Sequence, residues 1–385
     1  MHRSIVITCV LLALVDIGYA AKDREVKPTR LSDEIKEAML ENYKKEGDAK
    51  NEEFRKERDE VKHLLVDELI FEEGISEEEA GTQVEERLSK IQELKTLMQA
   101  ELGIPEIKPA DDGVFAGDII LTTQQAQAFI DDILRYKSRE KRSASIYFEN
   151  DPVKLWKMPI RYWINTTGLD QDHQNTIDDA VNTIVKSVPC LSFQRDNAAL
   201  NSGSQIHFGR IPGWCGGFSP LGHNGINKIS LLVEGFCGRG EAFKGVVMHE
   251  IIHSLGGNHE HMRTDRDDYV EILWKNIQPT FAYAYAKFND STTYGVPYDY
   301  KSIMHYHNGA FNTASGLDTF KVLQSNETSL SGRILTQNDI LQLKRMYCST
   351  CKDTYITCGI TATIAGCGDQ GVRSECPRSC GQCDQ

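Results

Sequence analysis

Residues 249 to 259 read His-Glu-Ile-Ile-His-Ser-Leu-Gly-Gly-Asn-His. On a helix, side chains four positions apart stand on one face, so His249 and His253 can aim both imidazoles at one point. Gly256 can adopt the left-handed conformation that ends a helix and turns the chain, and His259 is then delivered to the same point. Three imidazoles leave open positions on a zinc ion, the donor set of a catalytic rather than a closed structural site. Glu250 adjoins the first ligand without being needed for coordination. It is placed to act as general base on a water whose pKa zinc lowers to about 7. A bare His-Glu-x-x-His arises by chance in roughly one chain of this kind in forty; requiring Gly256 and His259 as well lowers that below about one in ten thousand.

The run continues through Glu260, Arg263, Asp265, Arg266, Asp267, Asp268 and Tyr269, and Ser302-Ile303-Met304-His305-Tyr306 follows further on. From about Pro159 to Cys348 the sequence thereby resembles the astacins, zinc endopeptidases of the metzincin group. The resemblance implies a two-lobed α+β protease domain with one Zn2+. It implies Met304 underneath the metal, Tyr306 as an additional ligand that swings to stabilise the tetrahedral intermediate, and Glu260 linked to the freed N-terminus of the mature chain. Upstream, Phe115-Ala116-Gly117-Asp118-Ile119 resembles the family's pro-segment motif, in which the aspartate caps zinc, so Asp118 is the expected metal ligand of a latent form. Two departures stand out: Gly257 occupies a position where relatives usually carry an aromatic residue, and the segment from Ser143 to Trp156 is longer than the usual mature N-terminus. His207, His223, His261, His305 and His307 lack ligand spacing with the triad and read as ordinary packing or polar histidines.

The elements that must position these groups divide the chain unevenly. It has 385 residues, 43 Lys and Arg against 56 Asp and Glu, and a net charge of −13, a balance that argues against nucleic acid as a partner. Only Ile5 to Leu14 is a long apolar stretch, broken once by Thr8, and it is too short for a membrane-spanning helix of about 20 residues. It follows His2 and Arg3 and precedes Gly18, Tyr19 and Ala20, which is the order of a secretory signal over residues 1–20. Residues 22 to 142 hold 21 Lys and Arg against 31 Asp and Glu and no cysteine. From Ser32 to about Leu97 they read as loosely amphipathic helices. A proline-marked passage through Pro105 and Pro109 follows, and Arg139-Glu140-Lys141-Arg142 closes the region as an exposed basic site for an activating processing protease. Residues 21–142 are therefore expected to form a helical acidic propeptide, with Ser143 as the new terminus. Downstream, Ile160 to Asn165, Cys190 to Gln194, Gln205 to Gly209 and Lys228 to Val233 read as strands, and Asp172 to Val188 and Phe243 to Leu255 as helices. This order predicts an α+β domain over 143–350.

Once Cys9 leaves with the signal, ten cysteines remain, an even number suited to an oxidising, extracellular setting. Six of them, Cys351, Cys358, Cys367, Cys376, Cys380 and Cys383, crowd a tail over 351–385 too poor in aliphatic residues to build its own core. Six cysteines allow fifteen pairings, and spacing does not choose among them. Resemblance to a ShK-type module implies Cys351–Cys383, Cys358–Cys376 and Cys367–Cys380, while resemblance to the astacins implies Cys190–Cys348 and Cys215–Cys237. Asn165, Asn289 and Asn326 begin glycosylation sequons.

The expected protein is a secreted, latent zinc endopeptidase acting on protein or peptide substrates, with matrix or substrate targeting by the terminal module. A channel-blocking module merely carried by the protease is disfavoured by the tail's balanced charge and its single aromatic, Tyr355. A pseudoenzyme is disfavoured by the complete set of His249, Glu250, His253, His259 and Tyr306.

Overall fold

The computed structural model describes residues 30–138, 153–235, 238–287 and 293–348. Two long helices come first, α1 (Asp33–Glu73) and α2 (Glu77–Leu102). Each begins at a serine, Ser32 or Ser76, whose side chain accepts a backbone N–H of the first turn. Each stops at a glycine in the left-handed region, Gly74 (φ 66°) or Gly103 (φ 84°). The strand β1 (Ile119–Ile120) and the helix α3 (Thr123–Ser138) complete this upstream unit.

The next part is built on a six-stranded sheet with strand order β1-β5-β6-β4-β2-β3. Its strands are β2 (Ile160–Ile164), β3 (Phe193–Arg195), β4 (Gln205–Trp214), β5 (Gly216–Pro220) and β6 (Ile226–Glu234). Only β5 runs antiparallel to its neighbour β6; β1 joins the edge parallel to β5, with Ile119 opposite Ser219. The helices α4 (Gln171–Ser187) and α5 (Gly240–Ser254) pack on the sheet. Ile177, Val181 and Ile184 of α4, Val247 and Ile251 of α5, and Ile206 and Phe208 of β4 share one buried core. Beyond α5 the chain proceeds mostly in 3-10 turns and loops, with a small ladder of β7 (Val270–Ile272) and β8 (Phe320–Val322), and ends in α6 (Gln337–Tyr347). Cys348 bridges to Cys190, tying the late segment to the turn between α4 and β3. No described helix is long and apolar enough to cross a membrane.

Most expected elements lie within a few residues of their predicted bounds. The strand expected at Cys190 to Gln194 is instead a turn, Leu191 N–H donating to Val188 O, followed by the short β3. Between Pro109 and Arg139, where no element was expected, lies α3, and Thr122 and Gln125 cap its start reciprocally. The signal segment, the bond after Arg142, Ser143, Cys237, Asn289 and all six cysteines from Cys351 to Cys383 lie outside the described residues.

Candidate active site

The apolar residues of α5 leave His249 and His253 on one face, and the helix ends one turn after His249. Gly256, at φ 101°, makes the turn, with its N–H donating to His253 O and that of Gly257 to Ile252 O. Two other carbonyls at this end are satisfied from outside the helix: Trp156 Nε1 donates to Ser254 O and Tyr347 Oη to Leu255 O, each at 2.7 Å. His259 then comes to lie 4.8 Å from His253 and 5.5 Å from His249, ring centre to ring centre.

The second nitrogen of two of these rings is fixed. His249 Nδ1–H donates to Ile303 O and His253 Nδ1–H to Gly257 O, both at 2.8 Å, which turns each Nε2 inward. Ile303 is itself anchored. The Asp339 carboxylate of α6 accepts Ile303 N–H at 3.1 Å and Ser302 Oγ–H at 2.6 Å, so the start of α6 determines where the carbonyl behind His249 sits. Met304 is buried in the core shared by the sheet, α4 and α5.

Asp118 enters from the upstream unit. Its Oδ2 lies 3.2 Å from His249 Nε2 and 3.1 Å from His259 Nε2, and its Oδ1 lies 3.6 Å from His253 Nε2. Ligand atoms held about 2.0 to 2.1 Å from a tetrahedral zinc stand roughly 3.3 Å apart, and the observed separations bracket that value. Asp118 Oδ1 and His253 Nε2 are buried without a hydrogen-bond partner. Burial alone would raise the Asp118 carboxyl, but His259, His253 and His249 hold it well below its ordinary range. Burial likewise lowers His249, yet the Asp118 hydrogen bond and the Glu250 and Asp118 charges push it up to about 9. At His253 burial outweighs the Asp118 charge and pushes the imidazole down to about 4. His249, His253, His259 and Asp118 each offer one ligand atom, all within 4.8 Å of one another, and fit a zinc ion.

Glu250 is buried, with Oε2 unpartnered. Burial raises its carboxyl well above the usual range; the His249 charge opposes this and the Asp118 charge adds to it. Gly217 of β5 makes the room: a Cβ there would lie 2.6 Å from Glu250 Cγ. Tyr306 is buried, its ring 3.9 Å from that of His261, and its hydroxyl donates to Ala116 O at 2.5 Å, so the stretch around Ala116 engages it while Asp118 faces the imidazoles. Glu260 Oε1 accepts Arg263 Nη1–H and Asp299 N–H, both at 2.9 Å. Burial, opposed by Arg263, lifts its carboxyl to about 7.

Among the remaining predicted residues, His261 donates Nε2–H to Ala284 O and His305 Nε2 meets Tyr298 Oη, the partners of packing histidines. Cys215 is disulfide-bonded. Asn165 Oδ1 accepts Thr167 N–H, and Asn326 is exposed. The sequence reading did not find Asp339, Gly217 or the Ala116 carbonyl. For Asp339 a signal existed, because Thr336 and Asp339 form a capping box at the start of α6.

A family model described as Astacin, a peptidase family, matches residues 148–348. Zinc metalloproteinase nas-10 of Caenorhabditis elegans is 32% identical over 302 residues, covering 72% of this chain and 54% of its own length. Zinc metalloproteinase nas-9 of the same organism is 31% identical over 353 residues, covering 83% of this chain and 62% of its own. The chain thus spans less than two thirds of either relative. Among solved structures, high choriolytic enzyme 1, a hatching enzyme zinc-protease from the medaka fish Oryzias latipes, is 30% identical and covers 50% of this chain and 94% of its own, with a TM-score of 0.43. The family match takes in more than half of the chain and all three histidines, and on that ground the chain belongs to the astacin family of zinc metalloendopeptidases.

Proposed function

We propose that this protein is a secreted zinc endopeptidase, made as a latent precursor, that hydrolyses peptide bonds of extracellular protein or peptide substrates. The observation that carries the reading is the Asp118 carboxylate set among three inward-facing imidazoles 3.1 to 3.6 Å away. The proposed organisation is a signal over 1–20, a propeptide over 21–142, a protease domain over 143–350 and a six-cysteine module over 351–385 that targets substrate or matrix. Activation follows cleavage after Arg142 by a processing protease.

Zinc held by His249, His253 and His259 supplies Lewis acidity, polarising the scissile carbonyl and acidifying a water. Glu250 takes the proton of the attacking water and returns it to the leaving amine. Removal of the pro-segment frees the Tyr306 hydroxyl from Ala116 O, so that it can donate to the developing oxyanion. Glu260, buried beside His259, is the proposed anchor for the mature terminus.

Glu250→Ala in the activated enzyme should retain zinc and lose roughly two or more orders of magnitude in peptide hydrolysis, whereas His253→Ala should lose the metal as well. Metal content and turnover are measured together, and wild-type activity in zinc-loaded Glu250→Ala removes the mechanism. Asp118→Ala should leak activity before any cut; an uncut wild-type precursor that is already active ends the argument for latency.

A further inference from the structure

The upstream helices and the part of the catalytic domain they cover share one apolar core. Met39 and Phe54 of α1 and Leu94 and Met98 of α2 are buried in the same cluster as Phe281 and Tyr283, and Phe54 meets Phe281 edge-on at 5.4 Å. Polar groups of α2 are committed to the same seam. The fully buried Gln99 donates to the carbonyls of Ile107 and Pro279 at 3.3 and 3.2 Å. The fully buried Lys95 pairs with Asp112 at 2.5 Å, donates to Ala110 O at 2.9 Å and lies 5.1 Å from the centre of the Tyr283 ring. Ala110 N–H in turn donates to Thr280 O at 2.9 Å. On the sheet side, Gln125 Nε2 donates to Leu221 O at 2.7 Å, and β1 extends the sheet at β5. Gln99, Ala110 and Gln125 lose their partners at Pro279, Thr280 and Leu221 if the two parts separate, so the seam resembles a protein interior more than a transient contact.

Every one of these contacts is made by residues upstream of Arg139. Residues 22 to 142 contain no cysteine, so a cut after Arg142 breaks none of the contacts and leaves no covalent tie. The geometry points to the covered face of the catalytic domain as a binding surface for this chain's own severed pro-region. Cleavage after Arg142 then yields a non-covalent complex that is still inhibited, and activity requires a further step that removes the pro-region. The inference rests on the reading of a latent precursor.

The test uses the full chain with a sequence-specific viral-protease site in place of Arg139 to Arg142. After complete cutting, the two fragments should co-elute on a sizing column, and peptidase activity should remain below about a tenth of that reached once the pro-region is displaced. Phe54→Ala should raise the activity of the cut protein about tenfold while the uncut form stays inactive, because tethering keeps the pro-region at high effective concentration. Separate elution with full activity on cutting overturns the inference and leaves latency standing. An active uncut precursor overturns latency instead, and co-elution of the fragments still decides whether the surface binds the pro-region.

Discussion

Gly257 O accepts the Nδ1–H of His253 at 2.8 Å, so this residue orients a ring of the candidate metal site. A Cβ at Gly257 would lie 2.5 Å from Ile252 Cγ2 and 3.2 Å from Ile252 O. Ile252 is buried and β-branched and cannot swing aside as a long side chain could. The backbone must shift instead, and the carbonyl shifts with it. Gly257→Ala should therefore weaken zinc binding by about 10- to 100-fold, the usual effect of disturbing a ligand's outer partner. Competition with a chelator measures this, and unchanged affinity would show that the turn absorbs the methyl. At this scale the sequence was legible where geometry is local: helical spacing and one turn place His249, Glu250, His253 and His259. Gly217, Asp339 and Ala116 act across long separations, where no periodicity links them to the groups they support.

Elements were legible where apolar periodicity marked them, as in α4 and α5, and were missed where only capping residues did, as in α3 and α6. Ser32 and Ser76 with Gly74 and Gly103 bracket α1 and α2, whereas β1 and β5 are short pieces whose strand character comes from pairing with neighbours rather than from composition. The position of a helix face is likewise set by what packs on it. Glu57 of α1 stays solvent-exposed at one edge, yet desolvation of its carboxyl, followed by the charges of Asp112, Glu53 and Glu60, raises its pKa to about 7. Below pH 4.5 the group is protonated in both folded and unfolded chains and contributes nothing to pH dependence. Between 4.5 and about 7 the unfolded chain is ionised while the folded one holds its proton, so stability falls as pH rises, and the loss is complete above that range. Glu57→Gln removes that loss. The full chain's Tm should rise at about pH 8 and stay unchanged at about pH 4, and an unchanged or lower Tm at the higher pH would show that burial and the neighbouring carboxylates do not raise this group.

Across the whole molecule, the Cys190–Cys348 bridge closes a separation of 158 residues and joins the end of α6 to the turn between α4 and β3. A loop of that size corresponds to about 5 kcal/mol on a chain-entropy scale, the upper end of what disulfides contribute. The same α6 supplies Asp339 beneath Ile303 and, through Tyr347, a donor to Leu255 O, so the bridge also secures the support of His249 and the end of α5. Ser349 and Thr350 then separate Cys348 from Cys351, the first of the six terminal cysteines. If those six pair only among themselves, a stop after Thr350 removes them without opening a bridge in the catalytic domain. The activated, truncated protein should hold zinc, keep Cys190–Cys348 and hydrolyse a small peptide at a rate within about twofold of the full chain, while selectivity for a large matrix protein falls. Disulfide mapping by mass decides the structural half. A bond from Cys190, Cys215, Cys237 or Cys348 to any cysteine past Thr350 would mean that the tail is part of the catalytic domain, and truncation would then be expected to cost the fold along with the targeting.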